Sequence, residues 1–318
     1  MINGTDSSGT FFLLNQKEQK IPMVFIHGVG LTHQIWQPQL DYFKNKTIIS
    51  YDILGHGKTP LNKKTISFDD FSDQLLNLID QLKFDKIHLI GFSIGSLIAR
   101  NFAAKHNHRL QSLTLLGSIF ERSNEQQQIV NDRFNLTKKE LKLSKLALKR
   151  WFTDKYLEEN PNTYEKISLI LEKNNMEDFI KVYELFVFHK NDEKFENIKV
   201  NTLVMTGEKD SGSTVDMSKK LCNVITNSQL KDLAADVTSG ETNSNSSNNT
   251  EQPAISDYKY LLDMPIQSLT EERVVALDKS AEDARFKLNH LLSSSPEDLW
   301  MRDLDKFINT ANKKKDLF

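Results

Sequence analysis

The chain has 318 residues, 38% of them apolar, with 41 Lys and Arg against 43 Asp and Glu and a formal charge of -2. At roughly 150 residues per domain, that length holds one large α/β domain with an accessory piece, or two domains, either able to bury a sizeable core. The balanced charge gives no basic field for nucleic acid or anionic lipid, and the one cysteine, Cys222, excludes an internal disulfide framework and a cysteine-based zinc cluster. MINGTDSSGTFF lacks a basic segment ahead of a long apolar stretch, and no run approaches the ~18 apolar residues that span a bilayer. The expectation is a cytoplasmic protein with no membrane partner.

In chain order, Pro22–His27, Thr47–Asp52, Ile87–Gly91, Leu113–Leu116 and Thr202–Met205 read as strands. Several are apolar throughout, as strands buried on both faces are. Between them, Phe68, Phe71, Leu75, Leu78, Ile79 and Leu82 fall at helical spacing, with Asp69, Asp70 and Asp73 towards the start. Ser96–His106 forms another helix directly after a strand. This alternation predicts an α/β fold with a parallel sheet covered by helices. From 121 to 190 the pattern turns to charged helices, an inserted lid, and strand resumes near Val200.

Gly91-Phe92-Ser93-Ile94-Gly95 lies between an apolar strand and a helix. A serine nucleophile at such a turn needs small neighbours, because the backbone bends sharply to lift its hydroxyl above the sheet. The N–H of Ile94 then sits at a helix N-terminus that favours developing negative charge. His27-Gly28-Val29-Gly30 closes the first strong strand; its glycines allow close backbone approach, and the Val29 N–H is a second candidate oxyanion donor. Asp52-Ile53-Leu54-Gly55-His56-Gly57 reads as a structural loop.

Taken together, FIHGVGLTHQIW, YDILGHGKTP, GFSIGSLIA and LVMTGEKDSGST resemble an α/β-hydrolase over about residues 11–230. Lid features such as Arg150-Trp151-Phe152-Thr153 followed by Glu159-Asn160-Pro161 look most like the 3-oxoadipate enol-lactonase branch and its esterase relatives. The resemblance implies Ser93 as nucleophile, Asp210 as the triad acid and backbone Val29 and Ile94 as the oxyanion hole. It implies a small ester or lactone as substrate, with no metal or organic cofactor. His27, Trp151 and Phe152 are candidate pocket residues. Ser at 93 argues against dehalogenases and epoxide hydrolases of this fold, which use a carboxylate nucleophile.

The family pattern then continues with a helix at about Val215–Val224, a last strand, and a loop carrying the triad histidine. Here the chain reads KDLAADVTSGETNSNSSNN after Leu230, and no histidine occurs between His189 and His290. The last strand, the base and the final helix are expected to be missing. None of the other histidines is expected to serve: His56 reads as a packing residue, His88 as a strand residue, His106 and His108 as solvated. His33 and His189 flank the pocket or lid, and His290 lies on a later helix.

From Thr238 to Thr250 every residue except Glu241 is Ser, Thr, Asn or Gly, a composition that cannot offset its ordering entropy; residues 231–256 read as a disordered linker. Beyond it, Val274, Leu277, Ala281, Ala284, Leu288 and Leu291 form a narrow helical seam. The segments YKYLLDMPIQSLTEERV and SPEDLW with DLDKF resemble the C-gate end of eukaryotic type II DNA topoisomerases, within a helical segment 257–318. That resemblance brings no catalytic tyrosine, metal site or ATP site, so no nucleic-acid partner is expected. The domain reading is a hydrolase core over 1–120 and 191–230, a lid over 121–190, the linker and the helical segment. Functionally it is a serine hydrolase impaired by loss of its base. The alternative is a non-catalytic scaffold, or a chimeric fusion of a truncated hydrolase with a topoisomerase fragment.

Overall fold

The structure, a computed structural model, describes residues 1–18, 20–140 and 151–233. The expected linker beyond Leu233, the seam helix, the topoisomerase-like segment, His290 and any final helix lie outside the described residues.

The chain opens with β1 (Ile2–Thr5) and β2 (Phe11–Asn15), then β3 (Met23–Ile26), α1 (Gln37–Tyr42), β4 (Ile48–Tyr51), α2 (Phe68–Gln81), β5 (Ile87–Phe92), α3 (Ile94–His106) and β6 (Leu110–Leu116). The lid follows as α4 (Asn124–Glu140), α5 (Asp154–Glu159), α6 (Pro161–Glu172) and α7 (Met176–Val187). The sheet resumes with β7 (Thr202–Gly207), α8 (Val215–Val224) and β8 (Ser228–Leu233). The eight strands lie in the order β1-β2-β4-β3-β5-β6-β7-β8, antiparallel at β1/β2 and β2/β4 and parallel elsewhere. No described helix is long and apolar enough to cross a membrane.

The apolar strands are buried on both faces: Val24, Ile26, Ile49, Leu89, Leu113, Leu115 and Val204 are shielded completely from solvent. Over them, α2 buries Phe71, Leu75, Leu78 and Ile79, the residues its spacing selects, and Asp70 accepts the Ser67 backbone N–H at 2.8 Å to cap its start. The N-terminal hairpin is an addition to the sequence reading. Its turn is closed by Asp6 Oδ1, which accepts from the N–H groups of Ser8 (2.9 Å) and Thr10 (2.8 Å), with Gly9 at φ +91°.

The expected loss of the last strand is corrected. β8 pairs in parallel with the whole of β7, from Thr202 opposite Ser228 to Gly207 opposite Leu233. SQLKDL hides this because Leu230 is the residue that packs against the main core, while backbone pairing needs no apolar side chains. The strand is also anchored at its start: Asn227 O accepts from Thr202 N at 2.8 Å, and Ser228 Oγ donates to Ile225 O at 2.7 Å. β7 is therefore not left as the unpaired edge, and the core runs three residues past Leu230.

Both ends of the lid meet one side chain of α3. Fully buried Arg100 donates to Ile119 O at 2.8 Å before the lid, and to Asn191 Oδ1 (3.0 Å) and Glu193 Oε2 (2.8 Å) after it. Glu193 also pairs with His189 at 3.2 Å; burial opposes its charge, but these partners hold its carboxyl down to about 2.

Candidate active site

At the carboxyl end of β5 the chain reverses into α3 through Ser93, whose φ of 55° and ψ of -119° are unfavourable for a side-chain-bearing residue. Such geometry costs roughly 1–3 kcal/mol and persists only where the surroundings enforce it. They do so here. A Cβ at Gly91 would collide with the Gly95 carbonyl oxygen, and one at Gly95 would lie 2.6 Å from Ile26 O on β3. Ser93 N donates to Leu116 O at 2.9 Å, and Ser96 Oγ donates to Ser93 O at 2.6 Å. The residue's backbone is thus held from β6 on one side and from the first turn of α3 on the other, and its side chain is half-buried.

The turn after β3 closes over this elbow. A Cβ at Gly28 would lie 3.3 Å from Ser93 Cβ, so the Gly28 backbone sits against the serine. Val29 is half-buried there, and Ile94, fully buried, opens α3 with an N–H that precedes the first intrahelical bonds. This arrangement can present N–H donors and a helix N-terminus to negative charge forming beside Ser93.

Asp210 follows β7, two strands from β5. Its Oδ1 accepts from the N–H groups of Gly212 (2.8 Å) and Ser213 (2.9 Å), while its Oδ2 would lie 3.6 Å from a Cβ at Gly117. Gly117 directly follows Leu116, the residue bonded to Ser93 N, so the turn after β6 links the two sites. Burial pushes the Asp210 carboxyl up, more than its two backbone donors offset.

Among the described residues no imidazole lies within hydrogen-bond distance of Ser93 or Asp210. His27, expected in the pocket, is shielded completely, and both ring nitrogens are engaged, Nδ1 with Gly28 O at 2.8 Å and Nε2 accepting from Ile53 N at 3.1 Å. His56 Nε2 accepts from Gly30 N at 2.8 Å, His33 Nδ1 meets Asp52 Oδ1 at 2.7 Å, and His88 Nδ1 meets Ser112 Oγ at 2.7 Å. His189 belongs to the Arg100 cluster. Burial holds His27 down to about 4 and His56 down to about 3, so both are neutral at pH 7.

The two lid candidates separate. Phe152 is buried with Leu31 and Leu171 in a cluster that Phe92, the residue before Ser93, packs against. Trp151 is 38% exposed. The sequence reading passed over Asn174, which follows α6 and donates from Nδ2 to Gly30 O at 2.8 Å, tying the lid to the turn over Ser93. Nothing in its spacing marks it; only the fold brings residues 30 and 174 together.

Residues 21–236 match the family described as having the alpha/beta hydrolase fold. The chain is 28% identical over 207 residues to the (E)-2-((N-methylformamido)methylene)succinate hydrolase of Acinetobacter baylyi, covering 64% of this chain and 77% of that protein. It is 26% identical over 219 residues to 3-oxoadipate enol-lactonase 2 of the same organism, covering 67% and 80%. Over a shorter stretch of 101 residues, 31% of this chain and 39% of the relative, it is 40% identical to a pimeloyl-[acyl-carrier protein] methyl ester esterase of Legionella pneumophila. The enol-lactonase from Burkholderia xenovorans superposes with a TM-score of 0.61 at 22% identity over 70% of this chain and 87% of that one, a likeness of fold. With two-thirds of its length inside the family match and the sheet order to go with it, the chain belongs to the α/β-hydrolase family, among relatives of enol-lactonase and esterase type.

Proposed function

We propose that the chain carries the acylation half of a serine hydrolase acting on a small ester or lactone, with its turnover limited by the lack of a positioned base. The strained elbow at Ser93, covered by the Gly28–Gly30 turn, is the observation that carries this reading. The named activities of the relatives, an enol-lactonase, a methyl ester esterase and a hydrolase of a methylenesuccinate, support the substrate class. In this reading Ser93 Oγ adds to the substrate carbonyl as its proton passes to water, the N–H groups of Val29 and Ile94 stabilise the oxyanion, and collapse expels the alcohol or opens the lactone, the leaving oxygen taking its proton from water. Water then cleaves the acyl-enzyme. Asp210 is the acid that would orient an imidazolium, and Phe152 with Trp151 would border the substrate from the lid. The core is assigned to 1–120 and 191–233 and the lid to 121–190.

A neutral serine hydroxyl attacks poorly without a proton acceptor, and in a serine protease such as subtilisin loss of the histidine lowers turnover by about 10⁶-fold. Turnover of p-nitrophenyl acetate by the chain is therefore expected barely above background. Added imidazole is expected to raise it, with the Ser93→Ala variant under the same imidazole supplying the blank. Fast turnover without imidazole that disappears in Ser93→Ala would show that a histidine of the chain is the base and overturn the impairment. Absence of any Ser93-dependent reaction at high imidazole would favour the second reading, a non-catalytic scaffold or fused fragment. That reading draws on the same lack of an imidazole beside Ser93 among the described residues.

A further inference from the structure

Three buried histidines and one aspartate, gathered beneath the turn over Ser93, take no part in the chemistry above. His27 engages Gly28 O through Nδ1 at 2.8 Å, and the same oxygen accepts from Leu31 N at 3.1 Å. Because Ile53 N donates to His27 Nε2, the ring proton is on Nδ1 and the ring donates to Gly28 O. That carbonyl and the Val29 N–H belong to one planar trans peptide, so fixing the direction of one fixes the other. The next peptide is held in the same way: Gly30 N donates to His56 Nε2 at 2.8 Å, which leaves the His56 proton on Nδ1, facing Leu54 O at 3.3 Å. On the far side of Gly30, its carbonyl accepts from Asn174 Nδ2, whose nitrogen also meets Leu171 O at 3.0 Å at the end of α6.

The frame beneath is equally engaged. Asp52 Oδ1 accepts from both the N–H and Nδ1 of His33, and Oδ2 accepts from Lys58 N at 2.9 Å. The His27 and His56 rings lie 5.5 Å apart, and Phe179 of the lid helix α7 meets His56 at 6.2 Å. Gly28 O thus ends on the His27 ring and the Leu31 N–H, and both polar groups of Gly30 end on side chains from other parts of the fold, His56 and Asn174.

We infer that His27, His56 and Asn174 are positioning residues for the oxyanion turn, setting the direction of the Val29 N–H through the two peptide groups that flank it, with Asn174 making that setting depend on the seated lid. The inference rests on the reading of Val29 as an oxyanion donor. It assigns the histidines to backbone orientation, and it requires them neutral, since Nε2 of each accepts a backbone N–H.

Two readouts separate the inference from that underlying reading. The first is backbone amide exchange at Val29 and Gly30 together with the ¹⁵N signature of the His27 and His56 tautomers, neither of which needs activity. The second is affinity for an arylboronic acid, whose boron takes up Ser93 Oγ in a tetrahedral adduct while the serine proton passes to solvent. In the wild type a Ser93-dependent adduct is expected, lost in Ser93→Ala; its absence would refute Val29 as donor and this inference with it. His56→Ala is expected to speed Gly30 exchange at least tenfold and to weaken the boronate about ten- to a hundredfold, below the loss seen when an oxyanion donor is removed outright. His56→Gln, whose Oε1 can still accept from Gly30 N, is expected to restore most of both. Asn174→Ala, a milder change on the lid, is expected to weaken the boronate several-fold with the sheet amides still protected. Unchanged Gly30 exchange in His56→Ala, an Nε2–H tautomer at either histidine, or faster exchange with unchanged boronate affinity in both His56→Ala and Asn174→Ala would overturn the inference.

Discussion

Two aspartates, one buried and one half-buried, stand just past the carboxyl ends of parallel strands, Asp52 after β4 and Asp210 after β7, and their surroundings push them in opposite directions. Burial raises both. At Asp52 it is outweighed by the His33 hydrogen bonds and the neighbouring imidazoles, and the carboxyl ends below its ordinary range. At Asp210 two backbone N–H groups are all that opposes it, and the carboxyl stays above. The difference distinguishes a carboxylate held by an imidazole and backbone N–H groups of two loops from one that, among the described residues, meets only the N–H groups of its own loop. Residue type does not set the direction in which a carboxyl is pushed; the donors around it do.

Removing the two carboxylates in turn should break this symmetry most clearly. Asp52→Ala leaves the His33 N–H, His33 Nδ1 and the Lys58 N–H facing a void, and is expected to cost about 3–5 kcal/mol in urea unfolding. A loss under about 1 kcal/mol would mean that the loop does not depend on the carboxylate.

Acid should act through the same region. His27 and His56 have folded pKa values near 4 and 3 against 6.5 when unfolded, so the unfolded chain takes up protons first as pH falls. Their contribution is complete above about pH 6.5 and is lost progressively down to about pH 3–4, by a few kcal/mol in all. The Asp52 contribution is lost at still lower pH, through the range of a depressed carboxyl, whereas protonating Asp210 relieves a buried charge and works the other way. Unfolding midpoints at pH 7, 6 and 5 should fall in order; a flat profile would show that the two imidazoles are solvated.

The strands offer a finer contrast. Leu113→Ala on β6, fully buried, is expected to cost about 2–5 kcal/mol, and Leu230→Ala on β8 about 1 kcal/mol, because the latter strand is held by its backbone ladder. Smallest of all, Asp210→Asn keeps an acceptor for Gly212 N and Ser213 N while removing the buried charge, and should leave stability unchanged or raise it by up to about 1 kcal/mol near pH 7. A loss of 2 kcal/mol would place a cation beside Asp210.

Where burial is two-sided, the sequence was easy to read: β3 to β6, the helical face of α2 and the glycine-flanked serine all follow from runs, spacing and small residues. β8 escaped because SQLKDL has few apolar residues to register, and the N-terminal hairpin escaped because its turn depends on the Asp6 side chain rather than on a hydrophobic pattern. The site divides in the same way. Ser93, Val29, Ile94 and Asp210 sit at positions a motif marks. The partners of His27 were not legible, because they are Gly28 and Ile53, residues 25 apart that only the sheet order brings together.

The convergence of Ile119, Asn191 and Glu193 on the single guanidinium of Arg100 bears on how such a chain could diversify. Seen from the sheet, the insertion between Ile119 and Asn191 leaves and returns through one gate. Closing a loop whose ends are already fastened costs little more when it is lengthened, since the entropy grows only with the logarithm of length. A lid mounted this way can change its outer walls freely, while the segments carrying Asn174 and Phe179 have to stay, because they seat on Gly30 and His56 of the frame beneath.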